Sequence, residues 1–251
     1  MGRQMRVPGG ILAVTVLLAL AGCSQPATDR GAGDGKPSAS ASGAKSPSSS
    51  ASKKGAGGDD GKPVTGDVLP GMVTVQVART QLAALKVGPV GSMSGYSRDK
   101  FTHWIDQGNK CDTRETVIKR DGKDVALNAD CKAASGTWRS LYDGVTLTDA
   151  GKLDIDHMVP LAAAWRSGAA AWDPQRRKEF ANDLVRPQLI AVSASSNRSK
   201  GDQTPDSWQP TDKSAWCQYG RAWTTVKSTY GLTVTEAEKQ MLTTMLDTCA
   251  S

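Results

Sequence analysis

The sequence predicts an α+β domain, and three observations carry that reading. Apolar residues alternate in strand fashion over Lys152 to Val159, and a short apolar run follows Pro187, over Gln188 to Val192. Helix-starting residues cluster in the second half of the chain, at Asp173-Pro174, at Asp212, and at Thr235 with Glu238 three positions later. Cys111, Cys131, Cys217 and Cys249 form an even set, which in an exported chain reads as two disulfides rather than a metal cluster.

Export is legible at the start. Arg3 and Arg6 precede an apolar run from Ile11 to Leu20, and Leu20-Ala21-Gly22-Cys23 follows, so residues 1–22 read as a signal peptide that is removed. The run is about half of the ~20 residues a bilayer-spanning helix needs. Leu-Ala-Gly-Cys resembles the lipobox of bacterial lipoproteins, which implies cleavage before Cys23 and a lipid anchor on its sulfur. The protein would then sit on the outer face of the membrane or in the wall, held by two or three acyl chains. From Cys23 to Gly66 the chain is nearly all Ser, Ala, Gly, Pro, Lys and Asp, and with so little to bury it is expected to be a disordered tether. Residues 67–251 are a normal length for one domain, expected to act as a monomer.

The net charge of +6 invites a nucleic-acid reading. Arg3 and Arg6 belong to the leader, however, and the tether contributes a further net +2, so only +2 remains on the folded part. Global charge therefore decides nothing about partners, and local placement is what counts. Arg176, Arg177, Lys178, Arg186, Arg198 and Lys200 lie close together in sequence.

Within the folded part, Val73 to Val87 has helical apolar spacing through Val77, Leu82 and Leu85, and Gly88-Pro89 stops it. An aromatic-rich segment, Gly95 to Trp104, leads into Cys111-Asp112-Thr113-Arg114-Glu115. Thr116 to Ile118 and Val125 to Leu127 flank Asp121-Gly122-Lys123 and read as a hairpin. Trp138 to Thr148 reads as a strand and turn around Tyr142-Asp143-Gly144. The strand ending at Pro160 precedes a short helix from Leu161 to Ser167, and Asp173-Pro174 opens another through Leu184. Ser193 to Ser196 reads as a turn. A helix through Trp216, Trp223 and Tyr230 ends at Gly231, and the Thr235/Glu238 capping box opens the last. Four cysteines allow three connectivities. Pairing within local units favours Cys111 with Cys131, closing the hairpin, and Cys217 with Cys249, across an antiparallel C-terminal helix pair.

The chain has two histidines, His103 and His157, which excludes a multi-histidine zinc site. Asp154-Ile155-Asp156-His157-Met158-Val159-Pro160-Leu161, with Gln188-Leu189-Ile190-Ala191-Val192 and Ser196-Asn197-Arg198-Ser199-Lys200-Gly201-Asp202, resembles the ββα-metal core of His-Asn-His (HNH) endonucleases. More closely, it is similar to secreted actinobacterial proteins of that family, through Tyr96-Ser97-Arg98, Cys111-Asp112-Thr113-Arg114 and Trp138 to Cys249. The resemblance implies a phosphodiesterase acting on extracellular DNA and leaving 5′-phosphate and 3′-hydroxyl ends, with RNA as the alternative substrate because a phosphate-directed site discriminates poorly between bases.

It also implies roles. His157 is the general base, and Asp156 and Asn197 hold one hard divalent cation, Mg²⁺ first, with Mn²⁺ and Ca²⁺ as alternatives. The middle Asn of the family pattern is replaced by Gln188, whose amide is longer by a methylene, and Asn182 is the substitute for pinning the loop that carries the base. Lys200, Arg198 and Arg166 are candidate phosphate contacts. His103 and the tryptophans are read as structural. Neighbours in a strand face opposite ways, so Asp156 and His157 must meet one phosphate from a strand end. The alternative function is a non-catalytic surface lipoprotein that keeps the core as a binding scaffold.

Overall fold

In a computed structural model of the chain, residues 69–250 are described. The signal peptide, Cys23 and the tether lie outside the described residues. The folded part is α+β, with seven α-helices and five strands among the described residues. Helix α1 (Val75–Ala84) is capped by Thr74, whose side chain accepts the Val77 amide, and it buries Ala78 and Leu82. Val77 lies off that line and is 44% exposed, so the helix is shorter than its apolar spacing suggests and turns Val77 outward.

The first expected hairpin is corrected. Residues Thr113–Asp121 form helix α2, not a strand. Asp112 accepts the Glu115 amide at the start, Lys119 and Arg120 stand in the last turn where the helix dipole favours them, and Val117 and Ile118 are fully buried. The hairpin forms one step later, from β1 (Lys123–Leu127) and β2 (Ala133–Arg139), with β3 (Thr146–Leu147) as the third strand of an antiparallel sheet. Its turn is organised by the Asn128 side chain, which accepts the amides of Asp130 and Lys132. The Cys111–Cys131 disulfide therefore joins the approach to α2 to this turn, and does not close the open end of a hairpin.

A second, two-stranded antiparallel sheet pairs β4 (Leu153–His157) with β5 (Leu189–Ser193), setting Asp156 opposite Ile190 and His157 opposite Leu189. Between them run α3 (Leu161–Arg166) and α4 (Pro174–Ala181), the latter capped by Asp173 with Pro174 in its first turn. Helix α5 (Ala194–Lys200) follows β5 directly, because the Ser193 side chain caps it where sequence suggested a turn. Strands β4 and β5 with α5 across them make a ββα unit.

Helix α6 (Trp216–Tyr230) ends at Gly231 in the left-handed conformation, and α7 (Glu236–Asp247) opens with the Thr235/Glu238 capping box. Cys217, in the first turn of α6, is bonded to Cys249, just past α7, which fixes the pair as antiparallel. Two clusters form the interior. The larger joins α1, α3, α4, α6 and α7 with Ile190 and Val192; the smaller sets Val117, Ile118 and Trp138 against Leu153, Ile155, Leu189 and Ala191. The ββα sheet thus has a cluster on each face, and alternate residues of β4 look into different interiors. Among the described residues no helix is long and apolar enough to cross a membrane.

Candidate active site

Where β4 ends, a cleft of about 340 Å³ opens, lined among others by Arg98, Asp156, His157, Asn197, Arg198 and Asp202. The ββα unit is what brings these together: β4 supplies Asp156 and His157, α5 supplies Asn197 and Arg198, and a short 3₁₀ turn capped by Ser97 supplies Arg98.

Asp156 and His157 leave the strand on opposite faces and are held by separate sets of partners. On one face, Asp156 Oδ2 accepts the Tyr142 hydroxyl at 2.5 Å and the Lys200 ammonium at 2.7 Å. Lys200 is 0% exposed, also donates to the His157 carbonyl at 3.0 Å, and lies near the rings of Tyr142 and Trp223. Burial pushes the Lys200 ammonium below the usual lysine range, and the Asp156 carboxylate opposes that shift. Burial, reinforced by the Asp156 charge, raises the Tyr142 phenol well above its ordinary value, so it stays a donor. Sequence reasoning makes Lys200 a phosphate contact. Instead it is the buried counter-ion of Asp156, withdrawn from the cleft lining.

On the other face stands the imidazole that the resemblance makes the general base, and it is enclosed: His157 is 4% exposed, Trp104 stacks on it with centroids 5.6 Å apart, and His103 abuts it edge-on at 6.4 Å. Nε2 is 2.9 Å from the Ala181 carbonyl, which only accepts, so Nε2 carries the proton and Nδ1 holds the lone pair. Burial drives the pKa of His157 down to about 3, partly offset by the Ala181 hydrogen bond and deepened by the charges of Arg98, His103 and Lys200. The ring is neutral at physiological pH.

The remaining predicted residues divide. Gln188 is fully buried, and its amide pairs with the Val159 backbone in both directions, accepting from the amide at 3.1 Å and donating to the carbonyl at 3.0 Å. Two residues beyond His157, that contact fixes the loop leaving β4; the extra methylene is accommodated. Asn182 does not hold that loop. Its side chain donates to the carbonyls of Thr102 and Lys178 and accepts from Ile105 and Thr113, so it secures the 102–105 segment instead.

Asn197 donates to Asp154 Oδ2 at 3.1 Å, which leaves its amide oxygen as the atom available to a cation. Arg198 is largely exposed at the cleft and lies 3.9 Å from Asp154. Arg166 is corrected: its guanidinium grips Asp202, at 2.5 Å to the carboxylate and 2.6 Å to the carbonyl, and it borders a neighbouring cavity rather than this cleft. That grip holds the Asp202 carboxyl below its ordinary pKa. Three arginines of the basic run around position 176 are also structural. Arg176 donates to the Tyr230 carbonyl and stacks on Trp172, Arg177 is buried against backbone carbonyls, and Arg186 pairs with Asp183. Sequence reasoning gave no role to Arg98 and Asp154. Both stand inside quoted motifs, but only the fold brings Arg98 to the cleft.

Residues 112–245 match the family described as GmrSD restriction endonucleases, C-terminal domain. A protein of the fungus Arthroderma benhamiae, described as an uncharacterized secreted protein, is 53% identical over 180 residues, covering 72% of this chain and 88% of its own. No solved structure matches.

Proposed function

The chain belongs to the GmrSD restriction endonuclease C-terminal domain family, and from that premise we propose that it is an exported HNH-type endonuclease hydrolysing phosphodiester bonds in DNA, with RNA as the alternative substrate. The observation that carries this reading is the lining of one cleft by Asp156, His157, Asn197, Arg98 and Arg198, which come from three segments far apart in sequence.

In this reading His157 is the base. Its Nε2 proton is fixed on the Ala181 carbonyl, so Nδ1 is the nitrogen that takes the proton of the attacking water. Gln188 keeps the strand end in register with the ring. Arg98 and Arg198 are the cleft cations suited to the phosphate. A divalent cation fits the donor set in a particular way. Asp156 Oδ2 is already taken by Tyr142 and Lys200, so its second oxygen and the Asn197 amide oxygen are the protein donors. Among the described residues no group of three or more His, Cys, Asp or Glu could enclose an ion. One carboxylate and one amide suit Mg²⁺, which keeps several waters and draws further ligands from substrate phosphate; Mn²⁺ or Ca²⁺ would meet the same oxygens. When bound, it would neutralise charge on the phosphate and the departing 3′ oxygen.

The secreted relative supports export of this chain. Anchoring at Cys23 rests on the lipobox-like Leu20-Ala21-Gly22-Cys23. The close burial of His157 favours one second reading, a surface protein that binds a polymer without cutting it. Plasmid cleavage by the purified protein decides between them. Nicking with Mg²⁺ or Mn²⁺ that disappears with EDTA and in a folded His157→Ala variant supports the nuclease. DNA binding without cleavage supports the scaffold.

A further inference from the structure

We propose that Asn182 is the positioning residue of His157, with its side chain holding the cover on one side of the imidazole while the carbonyl just before it holds Nε2 on the other. The inference rests on His157 being the base.

The cover is the 102–105 segment, and it needs holding. Trp104 sits at φ 58°, in the left-handed region that a bulky side chain adopts only under restraint. The restraints lie immediately on either side and converge on one residue. Asn182 Nδ2 donates to the Thr102 carbonyl at 2.8 Å, and Asn182 Oδ1 accepts the Ile105 amide at 3.2 Å. The Thr113 hydroxyl at 2.8 Å and the Lys178 carbonyl at 2.8 Å complete a fully used amide that is 8% exposed. Between the two anchored positions stand His103 and Trp104, the rings against His157. Asn182 also ends α4, its backbone N–H donating to the Glu179 carbonyl at 3.2 Å and its side chain to the Lys178 carbonyl at 2.8 Å, and together these set the direction of the preceding Ala181 carbonyl that fixes the tautomer. The ring plane therefore depends on the Asn182 side chain through the 102–105 segment, and the tautomer depends on the same side chain through its hold on the last turn of α4, although Asn182 lies outside the cleft lining.

With only two histidines in the chain, ¹⁵N imidazole NMR reads His157 directly, and a His103→Gln variant assigns it. At pH 7.5 the wild-type protein should show His157 as a single Nε2–H tautomer with carbon-bound protons displaced by the Trp104 ring current. In Asn182→Ala the second tautomer should appear and the displacement collapse. Cleavage kcat should fall about tenfold or more with KM within about twofold, the signature of a misaligned base rather than lost binding. Asn182→Asp keeps the two accepted bonds and loses the two donated ones, so it should fall between. A folded Asn182→Ala with one tautomer and wild-type ring-current shifts overturns the proposal. If Asn182→Ala does not fold, wild-type spectra from Asn182→Asp overturn it equally. Because the spectra need no turnover, an inactive wild-type protein would count against the nuclease and not against the positioning role.

Discussion

The Lys200 ammonium lies 2.7 Å from a carboxylate oxygen of Asp156, and both side chains are almost wholly withdrawn from water. A buried pair of this kind adds little net stability, but breaking it strands a charge. Lys200→Met should therefore lower stability by about 3–5 kcal/mol, read by urea unfolding. Lys200→Met with Asp156→Leu should recover much of the loss. Equal destabilisation of the single and double variants would show that the pairing is not the origin.

Gln188→Leu keeps the volume and removes both hydrogen bonds to Val159. Two buried backbone groups would be left without partners, at about 1–3 kcal/mol each. Gln188→Asn is too short to reach both atoms from the same backbone position, so it should fall between wild type and Leu in a melting experiment.

The pKa of His157, near 3 in the folded protein against an ordinary 6.5, gives stability a predictable slope. Above pH 6.5 neither folded nor unfolded imidazole is charged and nothing is lost. As pH falls from 6.5 toward 3, the unfolded chain binds a proton that the folded ring refuses, so stability declines. Between pH 7.5 and 5, above the range of most carboxylates, His157→Gln should decline less steeply in urea midpoint than wild type. Parallel curves would refute the depressed pKa.

Arg98 and Arg198 face the cleft, whereas Arg166 is locked to Asp202. Arg98→Ala and Arg198→Ala should each reduce kcat/KM on plasmid DNA by about tenfold, typical of one lost charge-assisted contact, with unchanged melting temperature. Arg166→Ala should lower the melting temperature and affect cleavage less.

The Cys217–Cys249 crosslink closes a 32-residue separation, and Cys217→Ser with Cys249→Ser should cost about 3–4 kcal/mol. The measurement is thermal unfolding, and a change under 1 kcal/mol would mean that α6 and α7 are held by packing alone.

How much of this was legible in the sequence follows from how local each signal is. Asp173, Gly231 and the Thr235/Glu238 box act within one helical turn, and the structure has them where the sequence suggests. Helix α2 was misread because Val117 and Ile118 look like a strand fragment when the Asp112 cap is overlooked. Lys200 was misread for a different reason: its partner is 44 positions away, and a lysine in a polar stretch gives no hint that the chain will bury it. The cover over His157 was invisible because its restraint comes from Asn182, nearly 80 residues beyond the loop it holds.

Asp156 and His157 are adjacent in the chain, yet each is braced from its own interior, one by Lys200 and Tyr142, the other by Trp104 and Ala181. Inherited change can consequently erode one brace while sparing its neighbour. Under the proposed nuclease reading, a lineage that loosened the indole side would forfeit hydrolysis while the carboxylate and its lysine stayed in place.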